Sequence, residues 1–196
     1  MNSRAEQKLN TRQSILNAAA ECFAEQGYYS ASVAEIMNKA GVSKGCMYVH
    51  FKSKEDLFLA MIDREHQKGA ERAQQAAQKP PYLNGVVWFM KECITHGGYP
   101  MDNRIWAEVL AVAARDKAVR EKFIASERAT RKFFVELLTK AAEAGEIDAS
   151  LDLDAVSIWL YSLGDGLITR IADDPDFNFK KQFKVFETLV RRALRP

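Results

Sequence analysis

Long apolar runs are missing. No uninterrupted stretch approaches the roughly 18 residues that a bilayer-spanning helix needs, so no membrane crossing is expected of these 196 residues. The opening MNSRAEQKLNTRQ is polar and has no apolar core, which argues against a secretory signal. Cysteine is scarce and odd in number: Cys22, Cys46 and Cys93 stand far apart. That spacing does not suit a disulfide framework and favours a reduced, cytoplasmic setting. A glycine-rich phosphate loop, a metal-ligand spacing and a nucleophile motif are also absent. The chain is therefore not expected to be an enzyme, and no cofactor or metal is expected. Cys46 with His50 and Cys93 with His96 come nearest to a ligand pair, but neither pair is joined by further ligands. Period-two alternation and internal repeats are lacking too, which leaves little room for a sheet.

What is present reads as helix from end to end. Hydrophobic residues make up 47% and charged residues 28%, the balance of a soluble globular protein with one large domain or two small ones. Ile15, Leu16, Ala19, Cys22 and Phe23 share one helical face, and Gly27 suits the cap that ends it. Ser32 followed by Glu35 fits a capping box and starts a second helix at about 32–39, closed near Gly41. A third, very short helix is predicted at 43–49. A fourth begins at Ser53–Asp56 and meets no breaker before Pro80–Pro81. Beyond the prolines the pattern predicts helices at 82–96, ended by Gly97, Gly98 and Pro100, and at 102–114. Further helices follow at 117–144, 152–173 and 177–194, the fold class being all-α with about nine helices.

The third helix poses the functional question. In AGVSKGCMYVHFKSKEDL, a two-turn element carries Gly45, which weakens a helix by roughly 1 kcal/mol relative to alanine. Self-stability does not explain it. A glycine-containing turn between two short helices is the sequence form of helix-turn-helix, whose second helix enters the DNA major groove by its N-terminal end. Val33, Ile36, Met37, Val42, Met47 and Phe51 would lock the pair together. Ser43, Lys44, Gly45 and Cys46 would form a small, cationic leading turn, with Tyr48 and His50 within reach of phosphates. No acidic residue stands between Glu35 and Glu55, whereas Lys39, Lys44, Lys52 and Lys54 all do. The stretch from Phe177 onward is also basic. Net charge is only +2, so the local patch is what matters for nucleic acid. Cys46 in that patch would also be open to oxidation.

These residues closely resemble the DNA-binding domain of the tetracycline-repressor (TetR) family of bacterial regulators. The match runs over about residues 10–60 and is carried by G-V-S-K-G-x-x-Y-x-x-F-x-S-K-E-D-L. Cys46 stands where the family usually has threonine or serine, and Val49 where a histidine or aromatic is common. The resemblance implies phosphate contacts from Ser32, Val33, Tyr48, His50 and Lys54. Lys44, Gly45 and Cys46 would lie nearest the bases, with Ser43 leading the helix and Val49 against a thymine methyl. It implies a helix-turn-helix domain at 1–53, a connecting helix at 54–80 and an effector-binding and dimerisation domain at 81–196. It further implies a homodimer on a double-stranded operator, most often a repressor released by a small-molecule effector.

Two features of the second part bear on those roles. WLYSLGDGLITRIA is apolar over most of its circumference, and Gly164 and Gly166 would admit another helix closely. Leu160, Leu163 and Leu167, with Phe183, Phe186 and Val190 of the last helix, are the expected dimer interface. The middle of the chain is rich in aromatics, among them Tyr82, Tyr99 and Phe123. Effector contacts are expected from Met61, Trp88, Glu92, Trp106, Glu127, Thr130, Phe134 and Trp159. For Glu127 two readings stand: an anchor for a cationic or amphipathic ligand, or an ion pair with an arginine of a neighbouring helix.

Overall fold

The computed structural model describes residues 3–95 and 102–196. His96, Gly97, Gly98, Tyr99 and Pro100, and with them the expected end of the fifth helix and the Cys93–His96 pair, lie outside the described residues. The described residues form nine α-helices and no strand: α1 (Arg4–Gln26), α2 (Val33–Ala40), α3 (Lys44–His50), α4 (Lys54–Ala76), α5 (Tyr82–Thr95), α6 (Asn103–Arg115), α7 (Lys117–Glu143), α8 (Leu153–Asp173) and α9 (Phe179–Ala193). None of them is long and apolar enough to cross a membrane.

Caps explain the boundaries. Ser3 and Glu6 close a capping box on α1, and Gly27 ends it with φ of 78°. Ser32 and Glu35 do the same for α2, which stops at Gly41 in the left-handed conformation, open to glycine at little cost. Ser53 Oγ accepts from the Asp56 N–H at 3.0 Å, while Asp56 Oδ2 accepts from the Lys52 N–H at 2.9 Å. Aspartate thus closes the start of α4 on the N–H before the capping serine, whereas Glu35 of α2 takes the N–H of the serine itself. Asp102, Asp152 and Asn178 cap α6, α8 and α9.

Packing divides the chain into two compact units, one of Met1–Glu65 with Gly97–Ile124, the other of His66–His96 with Ala125–Pro196. The first unit buries Leu16, Phe23, Ile36, Met47, Phe51, Phe58 and Met61 together with Ile105, Val109 and Val112 of α6. Thus α6 belongs to the core that carries the helix-turn-helix. Phe23 meets Phe58 edge-on at 5.4 Å between centroids, and Tyr28 lies 4.5 Å from Phe58.

The second unit is built around an aromatic stack. Phe134 of α7 lies 4.4 Å from Phe89 of α5 and 5.5 Å from Tyr161 of α8, nearly parallel to both rings. Val86, Met90, Leu137, Leu138, Leu160, Phe183 and Val190 complete that core. Gly164 sits where α8 meets α5, and a Cβ there would come within 3.2 Å of Met90 Cε. The close approach that this glycine permits is therefore made inside the protomer, whereas Gly166 faces open space.

Candidate nucleic-acid interface

The recognition element is short because its two ends are fixed locally. Ser43 Oγ accepts from the Cys46 N–H at 3.2 Å, and the Phe51 N–H donates to the Met47 carbonyl at 3.0 Å. Met47 and Phe51 are fully buried and hold α3 to α1 and α4, so its outward side is left to other residues. Ser43, Lys44 and Gly45 are exposed at the leading turn, Cys46 is half-buried, and nothing lies within 4 Å of the place a Gly45 Cβ would take. Tyr48 and Val49 are large side chains left open to solvent, Val49 at 70% exposure. On a helix of seven residues, Val49 therefore lies outside the core that Met47 and Phe51 enter.

At the entry to α2, Ser32 is exposed and Val33 is half-buried against the core. Ser32 Oγ accepts from the Glu35 N–H at 3.2 Å and donates to Glu35 Oε2 at 2.6 Å. The Ser32 hydroxyl and the Ser32 N–H, which donates to the same Glu35 Oε2 at 2.9 Å, together hold the Glu35 carboxyl below the usual carboxylate range. Ser32, Ser43, Lys44, Gly45, Cys46, Tyr48, Val49 and His50 thus all fall on α3 and the start of α2, or immediately beside them.

Two lysines expected in the basic patch are committed elsewhere. Lys39 pairs with Glu21 at 3.2 Å and Glu25 at 2.8 Å, both on α1. Lys54 Nζ donates to the carbonyls of Tyr28 at 2.8 Å, Tyr29 at 3.1 Å and Ala31 at 2.9 Å, and lies 4.9 Å above the Tyr28 ring. An ammonium has three N–H donors, so the Lys54 head group has none left for a phosphate in this conformation. It ties α4 to the loop between α1 and α2. A second tie, which the sequence does not reveal, comes from α6: Glu108 Oε1 accepts the Tyr28 N–H at 2.6 Å. Gly27 makes room for it, since a Cβ there would lie 3.3 Å from that oxygen.

The residues expected to line an effector site are spread over both units. Met61 is fully buried in the first core, where Trp106 packs 5.9 Å from Phe123. In the second, Phe134 is consumed by the aromatic stack, Trp88 and Glu92 are half-buried, and Trp159 is exposed. Thr130 Oγ1 donates to the Ser126 and Glu127 carbonyls of its own helix.

Glu127 Oε1 lies 2.8 Å from Arg131 Nε, so its arginine is on its own helix, one turn on. Arg131 then reaches α8, donating to Asp154 Oδ1 at 2.8 Å and Ser157 Oγ at 2.6 Å. Burial pushes the Glu127 carboxyl up despite the neighbouring guanidinium, and burial likewise raises the Tyr161 hydroxyl. Among the described residues no three His, Cys, Asp or Glu converge as a metal site.

The expected dimer residues also divide. Leu160, Phe183 and Val190 lie inside the protomer at 6% exposure or less, beyond reach of a second copy. Helical phase is the reason: they occupy the inner faces of α8 and α9. Leu167 and Phe186 are half-buried, and Leu163 is open. The outward faces instead present Ile158, Trp159 and Leu163 on α8 and Val185 and Leu189 on α9, each at least 36% exposed. Both helices are apolar on two sides, and the sequence shows both stripes without saying which is inner.

Comparison with known proteins bears on the arrangement as a whole. Residues 15–61 match the family model described as bacterial regulatory proteins, tetR family, and residues 95–195 match that of the BetI-type transcriptional repressor, C-terminal. The chain is 29% identical over 187 residues to the HTH-type transcriptional repressor AcnR of Corynebacterium diphtheriae, spanning 93% of this chain and 92% of that protein. It is 27% identical over 161 residues to the HTH-type transcriptional regulator UidR of Escherichia coli, spanning 82% and 81%. FadR from Bacillus subtilis, solved in complex with stearoyl-CoA, shares the fold with a TM-score of 0.76 at 21% identity, over 93% of this chain and 99% of that one. FadR from Bacillus halodurans does so with a TM-score of 0.77, also at 21% identity, over 94% and 96%. With matched segments at both ends of the chain and relatives alike over nearly its whole length, the chain belongs to the tetR family of bacterial regulatory proteins, regulators of transcription rather than enzymes.

Proposed function

We propose that this protein is a dimeric repressor that binds a two-fold symmetric operator and is released from it by a small-molecule effector. The observation that carries the reading is the leading turn of α3. Ser43, Lys44 and Gly45 stand open to solvent on a helix whose other side is locked by Met47 and Phe51. Small side chains there let the backbone approach base edges, and Lys44 has the donor for a guanine, lysine or arginine to guanine being the commonest specific contact. Tyr48 and His50 stand beside that turn and supply phosphate contacts.

The repressor sense is supported by the likeness to AcnR, a transcriptional repressor, and the effector by the stearoyl-CoA held in the FadR structure. The likeness to FadR is one of fold. Release follows if the effector binds better to a form whose recognition helices are wrongly spaced. A thousandfold loss of operator affinity then requires about 4 kcal/mol of differential binding. A cytoplasmic location goes with this role.

Selection of bound duplexes from random DNA tests the reading directly. A two-fold symmetric consensus with half-sites about 34–36 Å apart, or a multiple of that, is the expected outcome. No preference over bulk DNA at moderate salt would overturn it.

A further inference from the structure

The first three turns of α1 carry a feature that the helix-turn-helix does not use. Arg4, Lys8 and Arg12 follow one another at intervals of four, which stacks them on one side of a helix. By helical phase that side is the one on which Ile15, Ala19 and Phe23 enter the core further along. Before Ile15 the apolar stripe is thus continued as a basic one. All three cations are exposed. Glu6, the only acidic residue before Glu21, lies on the opposite side and is occupied in the cap with Ser3, whose N–H it accepts at 2.7 Å. The stripe also has a fixed place: the Arg12 guanidinium lies over the Phe51 ring, 4.9 Å from its centroid, and Phe51 is the residue that ends α3. These residues precede the segment that matches the family model, which begins at residue 15.

A helix that extends past its own core with a cationic inward side leaves three charges unmatched by any acidic neighbour along it. Alongside the end of the recognition helix, the complementary surface is a phosphate backbone. We infer that Arg4 and Lys8, with Arg12 as the seated base of the stripe, form an accessory contact to DNA phosphates flanking each half-site. The inference rests on the operator-binding reading above. The contact is electrostatic and indifferent to base identity, so it adds affinity and leaves sequence preference to α3.

The test uses the full chain and its selected duplex. Binding of wild type and of the Arg4→Gln/Lys8→Gln variant is measured over a salt series, on duplexes with long flanks and with flanks trimmed to the half-sites. Both residues are exposed, and an unchanged melting temperature verifies the fold of the variant. Each neutralised phosphate adds about −0.9 to the slope of log K against log salt. The variant is expected to bind more weakly, with the slope shallower by about 0.9 for every phosphate it no longer neutralises, and with unaltered ranking of operator mutants. Trimming the flanks is expected to weaken wild type and leave the variant nearly unaffected. A variant with the wild-type slope, or one that is weakened as much as wild type by trimming, would overturn the accessory contact and leave the regulator reading intact. A wild type with no preferred duplex would overturn the regulator reading on which the contact depends.

Discussion

Lys54 illustrates how much a single head group can decide. Its ammonium is surrounded by the carbonyls of Tyr28, Tyr29 and Ala31, so its charge is spent on the loop that delivers Ser32 and the start of α2. The resemblance alone assigns it to a phosphate. The two roles differ in one measurable respect. A phosphate ligand removed from each half of a dimer makes the salt slope shallower by about 1.8, whereas a loop tie removed lowers affinity at unchanged slope. Lys54→Met is expected to do the latter, and a shallower slope would return the residue to the backbone of the DNA. Lys44 and Tyr48 divide along another line. Lys44→Ala is expected to relax preference among operator mutants, and Tyr48→Phe to weaken all of them alike. An unchanged preference profile for Lys44→Ala would remove it from direct readout.

At the scale of elements, what the sequence discloses follows the range of the interaction that sets it. Most helix starts within the described residues lie at a Ser, Asp or Asn cap, and α1 and α2 stop at glycines, because those signals act within four residues; the end of α3 at Phe51 carries no such mark. The tip of α3 is legible for the same reason. The Lys54 and Glu108 ties are not, since their partners are 26 and 80 residues away. Nor is the choice of inner face on α8 and α9, where two apolar stripes compete and only packing decides.

Arg131 is another such tie, joining Glu127 of α7 to Asp154 and Ser157 of α8. Arg131→Met should cost on the order of 3 kcal/mol, because it strands a partly buried carboxylate, and urea unfolding would measure it. Glu127 itself binds its proton more tightly in the folded state than in the unfolded one. Its contribution to stability is therefore fullest on the acid side and is lost as pH rises through the folded-state titration, above the ordinary carboxylate range. The stability of wild type relative to Glu127→Gln should fall across that window; a difference flat in pH would show that burial does not perturb the group.

For the whole molecule, the proposed two-fold operator calls for a second copy that holds its recognition helix at a fixed spacing from the first. Ile158, Trp159 and Leu163 on α8 and Val185 and Leu189 on α9 are large apolar side chains left open on the second unit. A symmetric pairing of these faces buries them twice over, since each copy presents the same patch to the other. The faces behind them are already committed: Leu160, Phe183 and Val190 are packed within the protomer. A charge placed on either side therefore has distinct consequences. Leu189→Glu or Leu163→Glu should leave the helical content and melting behaviour of one chain largely intact and give monomers in sedimentation, with operator affinity lost because the two half-sites are no longer joined. Phe183→Glu should instead destabilise the chain itself, since it buries a carboxylate without a partner. If Leu189→Glu sedimented as a dimer at the wild-type concentration, the outward faces of α8 and α9 would not be the interface, and the two-fold would have to be sought on another surface of the chain.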